Sequence, residues 1–295
     1  MATTILLTGG SGFIGRNILE SDIAQQNRIF APTHQELELM DENAVREYIR
    51  RYNIEIIIHA AAKPGHRNAS DPTGIFYTNT RVFFNLARNS GIIKKMIVIG
   101  SGAIYDSRFY RPKMSESYYD THVPLDEHGL SKYVIEKYIQ QTGNIYDLRV
   151  FGIYGKYEDY SIRFISNMIC KALLGFPLTV KMNRMFDYIY VDDLIPVLMH
   201  FIENEISYHA VNVTPDSSMA LSDIASLVLD VLGKRLPIIV REKGLGVEYS
   251  GSNELLRMIL PNLALLPLRK GIELLSEYYV SILPSIDVGL LREDK

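Results

Sequence analysis

Thr8-Gly9-Gly10-Ser11-Gly12-Phe13-Ile14-Gly15, following the apolar run Thr4-Ile5-Leu6-Leu7, is the stretch on which the fold turns. A β-branched and aliphatic run that breaks into glycines reads as a buried strand turning sharply into a helix. Gly9 and Gly10 let the backbone turn, Gly12 lets it approach a pyrophosphate, and Gly15 lets the helix pack closely on the strand. The N–H groups and positive dipole of the helix N-terminus then hold phosphates. Tight strand–helix turns often look like this. Here the position directly after a strand and before the helical stretch Arg16-Asn17-Ile18-Leu19-Glu20 marks a dinucleotide site built on Gly9, Gly12, Phe13, Ile14 and Gly15.

Strand and helix patterns alternate outward from that turn. Arg28 to Pro32, Ile54 to Ala61, Lys95 to Gly100 and Tyr146 to Val150 read as strands; Glu42 to Ile49, Asn79 to Asn89 and Leu130 to Gln141 read as helices. Continuously apolar strands separated by helices predict a Rossmann-type, doubly wound α/β fold: a parallel sheet covered on both faces. Beyond Phe151 the pattern loosens. Ile162 to Leu174 and Asp193 to Glu203 read as helices, Phe186 to Val191 as an alternating strand, and Ala210 to Val213 as a last sheet strand. From Asp216 on, short helices and one strand, Pro237 to Val240, are expected. The division predicted is a dinucleotide-binding domain of residues 1–155 plus about 186–215, and a smaller, mostly helical substrate lobe of about 156–185 plus 216–295, with a cleft between them.

With 295 residues and a formal net charge of −3, the chain can bury a full core and shows no basic stripe that would suit nucleic acid or an anionic membrane. Its single cysteine, Cys170, excludes an internal disulfide and suits a reducing cytoplasm. The N-terminal apolar run is expected to be a first strand rather than a signal peptide. Leu255 to Leu268 is leucine-rich, but Arg257, Pro261 and Pro267 interrupt it well short of a membrane span. No metal is expected.

Several separated stretches share one resemblance. They are Thr8 to Gly15, Ile57-Ile58-His59-Ala60-Ala61, Asn79, and Ile99-Gly100-Ser101-Gly102-Ala103-Ile104-Tyr105. Gly129-Leu130-Ser131-Lys132, Leu148 to Gly155, Asp187 to Leu194 and Glu248 to Asn253 continue the series. In order and spacing the chain resembles the extended short-chain dehydrogenase/reductase superfamily, in its nucleotide-sugar epimerase, dehydratase and reductase branch. The resemblance implies a nucleotide-sugar substrate, a nicotinamide cofactor also touched by Ala60, Ala61, Asn79 and Lys132, and a homodimer paired through two long helices.

NAD users of this superfamily end the second strand with an acid that bonds the adenosine ribose. Here Ala31-Pro32-Thr33-His34-Gln35 offers no acid before Glu36, and Thr33, His34 or Arg16 could face a 2′-phosphate. NADP(H) is therefore favoured over NAD(H).

The superfamily's chemistry is carried by a serine or threonine, a tyrosine, and a lysine four residues after the tyrosine. Ser101 fits the first and Lys132 the last, but His128 stands where the tyrosine belongs. A literal Tyr-x-x-x-Lys exists at Tyr133 and Lys137, but Tyr133 points about 100° away from Lys132 around the helix and reads as packing. His128 has two readings: an imidazole acid/base replacing the phenol, or a helix-terminus residue in a fold that has lost proton transfer. Because it holds the catalytic register, the acid/base reading is taken, with Lys⁺ nearby pushing its pKa below the usual 6.5 or so.

The same comparison narrows the reaction. Gly102-Ala103 replaces the acid pair of the 4,6-dehydratases, and Ala103 replaces the cysteine of the fucose-synthase type. What remains is reduction of a 4-keto sugar nucleotide of the 4-keto-6-deoxy type, as in deoxysugar and surface-polysaccharide biosynthesis, or C4 epimerisation; the reductase leads. A non-catalytic NAD(P)-binding sensor is the alternative of another class. For the substrate, Arg184 stands near the superfamily's diphosphate arginine, where Phe186 now sits. Ser101, Tyr105, Arg163 and Asn253 are the other candidates, although Tyr105, like Tyr154 and Tyr190, also reads as packing. Tyr118 or Tyr119 is a candidate for lining the sugar pocket.

Overall fold

The computed structural model describes residues 2–65 and 71–292. The chain runs β1 (Thr4–Thr8), α1 (Phe13–Leu19), α2 (Asp22–Gln26), β2 (Arg28–Phe30), α3 (Glu42–Arg51), β3 (Ile56–His59), α4 (Ile75–Ala87), β4 (Lys95–Ile99), α5 (Glu127–Ile139) and β5 (Ile145–Val150). Then follow β6 (Ile153–Tyr154), α6 (Phe164–Leu173), β7 (Leu178–Asn183), β8 (Met185–Phe186), β9 (Ile189–Tyr190), α7 (Leu194–Glu203) and β10 (Ala210–Val213). The last elements are β11 (Met219–Ala220), α8 (Leu221–Val231), β12 (Ile238–Leu245), α9 (Glu254–Ile259), α10 (Leu268–Ser281) and α11 (Val288–Arg292).

Six strands form one parallel sheet in the order β10-β5-β4-β3-β1-β2. Every residue of β3, β4 and β5 is buried, as strands covered on both faces require. Alternate residues serve opposite layers. Ile5 and Leu7 pack with Ile18, Val197 and Phe201 on one face, and Leu6 packs with Val45, Phe83 and Ile135 on the other. A third core joins α6, α8 and α10 through Ile169, Val228 and Leu275, and forms the smaller lobe. From β1 the chain passes to β2 on one side and then to β3 on the other, so a crevice opens at the carboxyl ends of β1 and β3.

Several elements differ from the sequence expectation. Leu37 and Leu39 are buried in the core beyond β2 without forming a strand. The strand expected over Phe186 to Val191 is split at Asp187, whose Oδ2 accepts from the Thr214 hydroxyl (2.5 Å) and the Gly251 N–H (2.9 Å). Those bonds reach outside any ladder and draw the chain out of a single strand. β12 runs five residues beyond Val240 and pairs in parallel with β7. α9 and the segment after it, expected in the lobe, place Leu256 and Leu263 in the same core as the sheet.

Candidate active site

Geometry makes the glycines of the first turn obligatory. Gly9 has φ +76°, and a Cβ there would lie 2.7 Å from the Ala61 backbone nitrogen. At Gly15 a Cβ would stand 2.1 Å from the Gly9 carbonyl oxygen. α1 therefore starts flush against the end of β1. Its N-cap, Gly12, offers no side chain to the first-turn N–H groups, and no acid stands in that turn. Those donors are left for an anionic ligand. Beneath them, Thr8 Oγ1 bonds His59 Nδ1 (2.8 Å), and burial, with help from Lys132, holds His59 neutral by lowering its pKa to about 3.

Three adjoining cavities follow this turn. One of about 140 Å³ is lined by Gly9, Thr33, His34 and Ala61; a second, about 430 Å³, by Gly12, His34, Ala60 and Asn79. The third, about 540 Å³, runs from Gly12, Phe13, Ile14 and Gly15 past Ala60 to His128 and Arg163. Asn79 lines the second and also clasps Lys63, accepting from its N–H (2.7 Å) and donating to its carbonyl (3.2 Å), which fixes the loop after β3. A dinucleotide fits this cradle: glycines without room for a Cβ, unsatisfied helix donors, and a groove continuing to both sides.

Glu36 was the nearest acid beyond β2 by sequence, but the turn folds it back. Its carboxylate accepts from both the N–H (2.8 Å) and the hydroxyl (3.0 Å) of Thr33, bonds that hold its pKa below the ordinary carboxylate value. Thr33 itself lines the smallest of the three cavities.

α5 carries the chemistry. The sequence suggested a helix from Leu130; the helix begins at Glu127, because Asp126 caps it by accepting from the Gly129 N–H (2.8 Å). His128 and Lys132 therefore lie one turn apart on the same helix. Gly129 lets α5 approach the turn after Ser101; a Cβ there would be 2.6 Å from the Ala103 carbonyl. Lys132 Nζ donates to the Ile99 carbonyl (3.2 Å), two residues before Ser101. Burial lowers the Lys132 pKa, while Asp147 opposes the shift. His128 is held neutral, its pKa lowered to about 4 by burial first and then by Lys132, with Asp126 opposing and Arg163 adding to the shift. Its Nδ1 is buried and has no hydrogen-bond partner among the described residues. Tyr133 and Lys137 both bind Asp120 on the outer side of the helix.

Behind Ser101 lies a buried charge cluster that sequence reading missed. Arg149, 1% exposed, bridges Glu136 (2.9 Å) and Asp147 (3.4 Å) and donates to the Tyr105 hydroxyl (2.9 Å). Burial raises the pKa of both carboxyls, and the charge of Asp147 adds to the rise at Glu136, so the pair tends to retain a proton beside one guanidinium. Asp147 rests on Gly100, where a Cβ would fall 1.8 Å from Oδ1.

The substrate candidates separate in space. Tyr105 is not a cleft residue: it is 2% exposed, and its hydroxyl donates to Asn212 Oδ1 (2.8 Å) while accepting from Arg149. Asn253 donates to Asp216 (2.8 Å) and caps α9, tying a loop rather than joining Arg184. Arg163 opens onto the His128 cleft. Tyr118 and Tyr119 donate to the carbonyls of Phe109 and Tyr133. Arg184 alone lines a separate cavity of about 530 Å³ in the smaller lobe, together with Asn167, Lys171, Lys181 and the stacked pair Phe186–Tyr188 (4.7 Å). Lys171 and Lys181 carried no motif, since α6 and β7 bring them together only in the fold.

A family model, "NAD dependent epimerase/dehydratase family", matches residues 5–214. The chain belongs to this family. Among its relatives, GDP-L-colitose synthase of Yersinia pseudotuberculosis is 31% identical over 105 residues, 34% of each chain, so that match spans about a third of the relative's length. dTDP-4-dehydro-6-deoxyglucose reductase of Escherichia coli is 24% identical over 79% of this chain and 83% of its own. A GDP-mannoheptose C4 reductase from Campylobacter jejuni, solved with NADP bound, superposes with TM-score 0.81 at 19% identity, covering 95% and 98% of the two chains. The glycine turn, Gly9 to Gly15, lies inside the matched residues. Among the described residues, no helix is long and apolar enough to cross a membrane.

Proposed function

We propose that the protein reduces the 4-keto group of a 4-keto-6-deoxy sugar nucleotide with NADP(H). The observation that carries this reading is His128: it opens onto the cleft of the glycine turn, one helical turn from Lys132, whose Nζ is held by the Ile99 carbonyl two residues before Ser101. The names of relatives that act on 4-keto sugar nucleotides support it.

A bound nicotinamide supplies hydride to C4, and the chain's residues manage the oxygen and its proton. Ser101 donates a hydrogen bond to the carbonyl oxygen. At neutral pH His128 is an uncharged imidazole and holds no surplus proton. The proton for the forming alkoxide therefore comes through water in the cleft, which the neutral imidazole orients by a hydrogen bond and bulk solvent reprotonates. Lys132, buried beneath Ile99 and Ser101, places positive charge where oxygen gains negative charge. In the smaller lobe, Lys171, Lys181 and Arg184 suit a diphosphate, and the Phe186–Tyr188 stack offers a face for a base.

NADP(H) is favoured by His34, which lines both cavities at the adenosine end. Glu36 works against a 2′-phosphate and limits that preference.

The test is consumption of NADPH by purified protein with 4-keto-6-deoxy sugar nucleotides carrying different bases. Loss of the reduced-nicotinamide absorbance that needs both protein and sugar is the expected result, and identifies the base. Absence of loss with every base, alongside measured cofactor binding, overturns the reductase reading in favour of C4 epimerisation or cofactor sensing.

A further inference from the structure

α1, the helix that follows the glycine turn, is about two turns long, too short to be held in place by its own hydrogen bonds. Ile18 anchors its inner face in the sheet core. The outward stripe Phe13, Arg16, Asn17 and Glu20 follows the helical spacing of neighbours on one face. One short strap between β6 and α6, Gly155–Tyr157, grips that stripe along its length. Asn17, 3% exposed, donates to the Phe13 carbonyl (2.8 Å) and to the Lys156 carbonyl (3.0 Å). The Arg16 guanidinium lies 3.6 Å above the centroid of the Tyr157 ring. Glu20 accepts from Lys156 Nζ with one carboxylate oxygen and from the Tyr157 hydroxyl (2.5 Å) with the other. Lys156 first, and then Tyr157, hold the Glu20 carboxyl below its ordinary pKa, so it stays ionised. Arg16, which the sequence offered to a 2′-phosphate, is turned to the strap instead.

The strap is itself fixed from the lobe side. Tyr157 packs edge-on against Tyr278 of α10 (5.6 Å), and Glu158 accepts from the Ser166 hydroxyl of α6 (2.6 Å). Gly155 lies so close to Val191 that a Cβ there would be 2.4 Å from it. Tyr157 takes a left-handed backbone, φ +73°, which is costly for a residue with a Cβ. In that conformation its hydroxyl reaches Glu20 and its ring meets Arg16. Exposed ion pairs are worth little singly; here they converge, with the buried Asn17 amide, on one short helix.

We propose that Tyr157 is a positioning residue for the cofactor cradle: through Glu20 and Arg16 it fixes the helix that follows the glycine turn, and so sets cofactor affinity without touching the cofactor. Arg16, Glu20 and Tyr157 line none of the three cavities along that turn. The role rests on the turn holding the dinucleotide, whichever carbonyl chemistry follows.

Tyr157→Phe keeps the ring over Arg16 and beside Tyr278 and removes only the bond to Glu20. By fluorescence titration of the purified protein, the Kd values for NADPH and for NADH should each rise by about three- to fivefold, the worth of one exposed charge-assisted hydrogen bond. The urea midpoint should stay near the parent value. Glu20→Ala removes the acceptor and should weaken both cofactors at least as much; adding Tyr157→Phe to it should cost nothing further, because the bond is already gone. A loss confined to NADPH overturns the proposal by placing the strap at the 2′-phosphate. Unchanged affinities, an equal further loss in the Glu20→Ala background, or affinity lost only in step with the urea midpoint overturn it too, leaving the strap a packing device. A parent protein that binds neither cofactor overturns the dinucleotide reading of the turn and, with it, this role.

Discussion

His128→Phe separates an acid/base residue from a relic of the fold by two independent readouts. In the folded protein the imidazole stays neutral down to about pH 4, whereas in an unfolded chain it takes a proton near pH 6.5, by its ordinary value of about 6.5. Between those values the unfolded state binds more protons, so stability falls as pH drops through about 6.5, and the loss from this group is complete near pH 4. At pH 5 the loss relative to pH 8 is about 2 kcal/mol, from roughly 1.5 pH units at about 1.4 kcal/mol each. His128→Phe lacks that loss and should therefore give up about 2 kcal/mol less than the parent between pH 8 and pH 5, measured by urea unfolding at both. Its turnover should fall by about 10²- to 10⁴-fold, the usual contribution of a positioned acid/base, with NADPH affinity unchanged. The parent's kcat/KM should also show no inflection near pH 6.5 from this group. Turnover within about threefold of the parent, or unfolding curves that respond to pH in parallel, would refute the assignment.

Gly15→Ala drives a Cβ to 2.1 Å from the Gly9 carbonyl oxygen; because backbone must move, NAD(P)H affinity should drop by about 100-fold or more, read by fluorescence titration. Glu36→Gln removes an ionised carboxylate from Thr33 and should tighten NADPH by about threefold while leaving NADH unchanged; equal effects on both would detach Glu36 from the 2′ position. Arg149→Met strips the cation from two buried carboxyls and should destabilise the protein by about 3–5 kcal/mol at neutral pH, with a smaller cost as pH falls, because both carboxyls have raised pKa values and take up protons more readily. A cost under about 1 kcal/mol would mean that the cluster is not held by its charge.

The sheet was legible in the sequence because a strand covered on both faces has to be apolar at every position, and β3, β4 and β5 are written that way. The glycine turn was legible because backbone approaching backbone leaves room for no other residue. His128 and Lys132 stood out because a helix converts a spacing of four into one face. Each of these is a local rule, read along a few consecutive residues. What tertiary structure alone decided are the meetings of residues far apart in the chain. Glu36 follows the end of β2 by spacing, and only the fold turns its carboxylate back onto Thr33. Tyr105 read both as a substrate candidate and as packing, and only the fold places its hydroxyl between Arg149 and Asn212 in the core. Lys171 and Lys181 line one cavity with Arg184 across element boundaries that carry no motif. Side-chain direction at such distances is set by packing, which periodicity along the sequence does not encode.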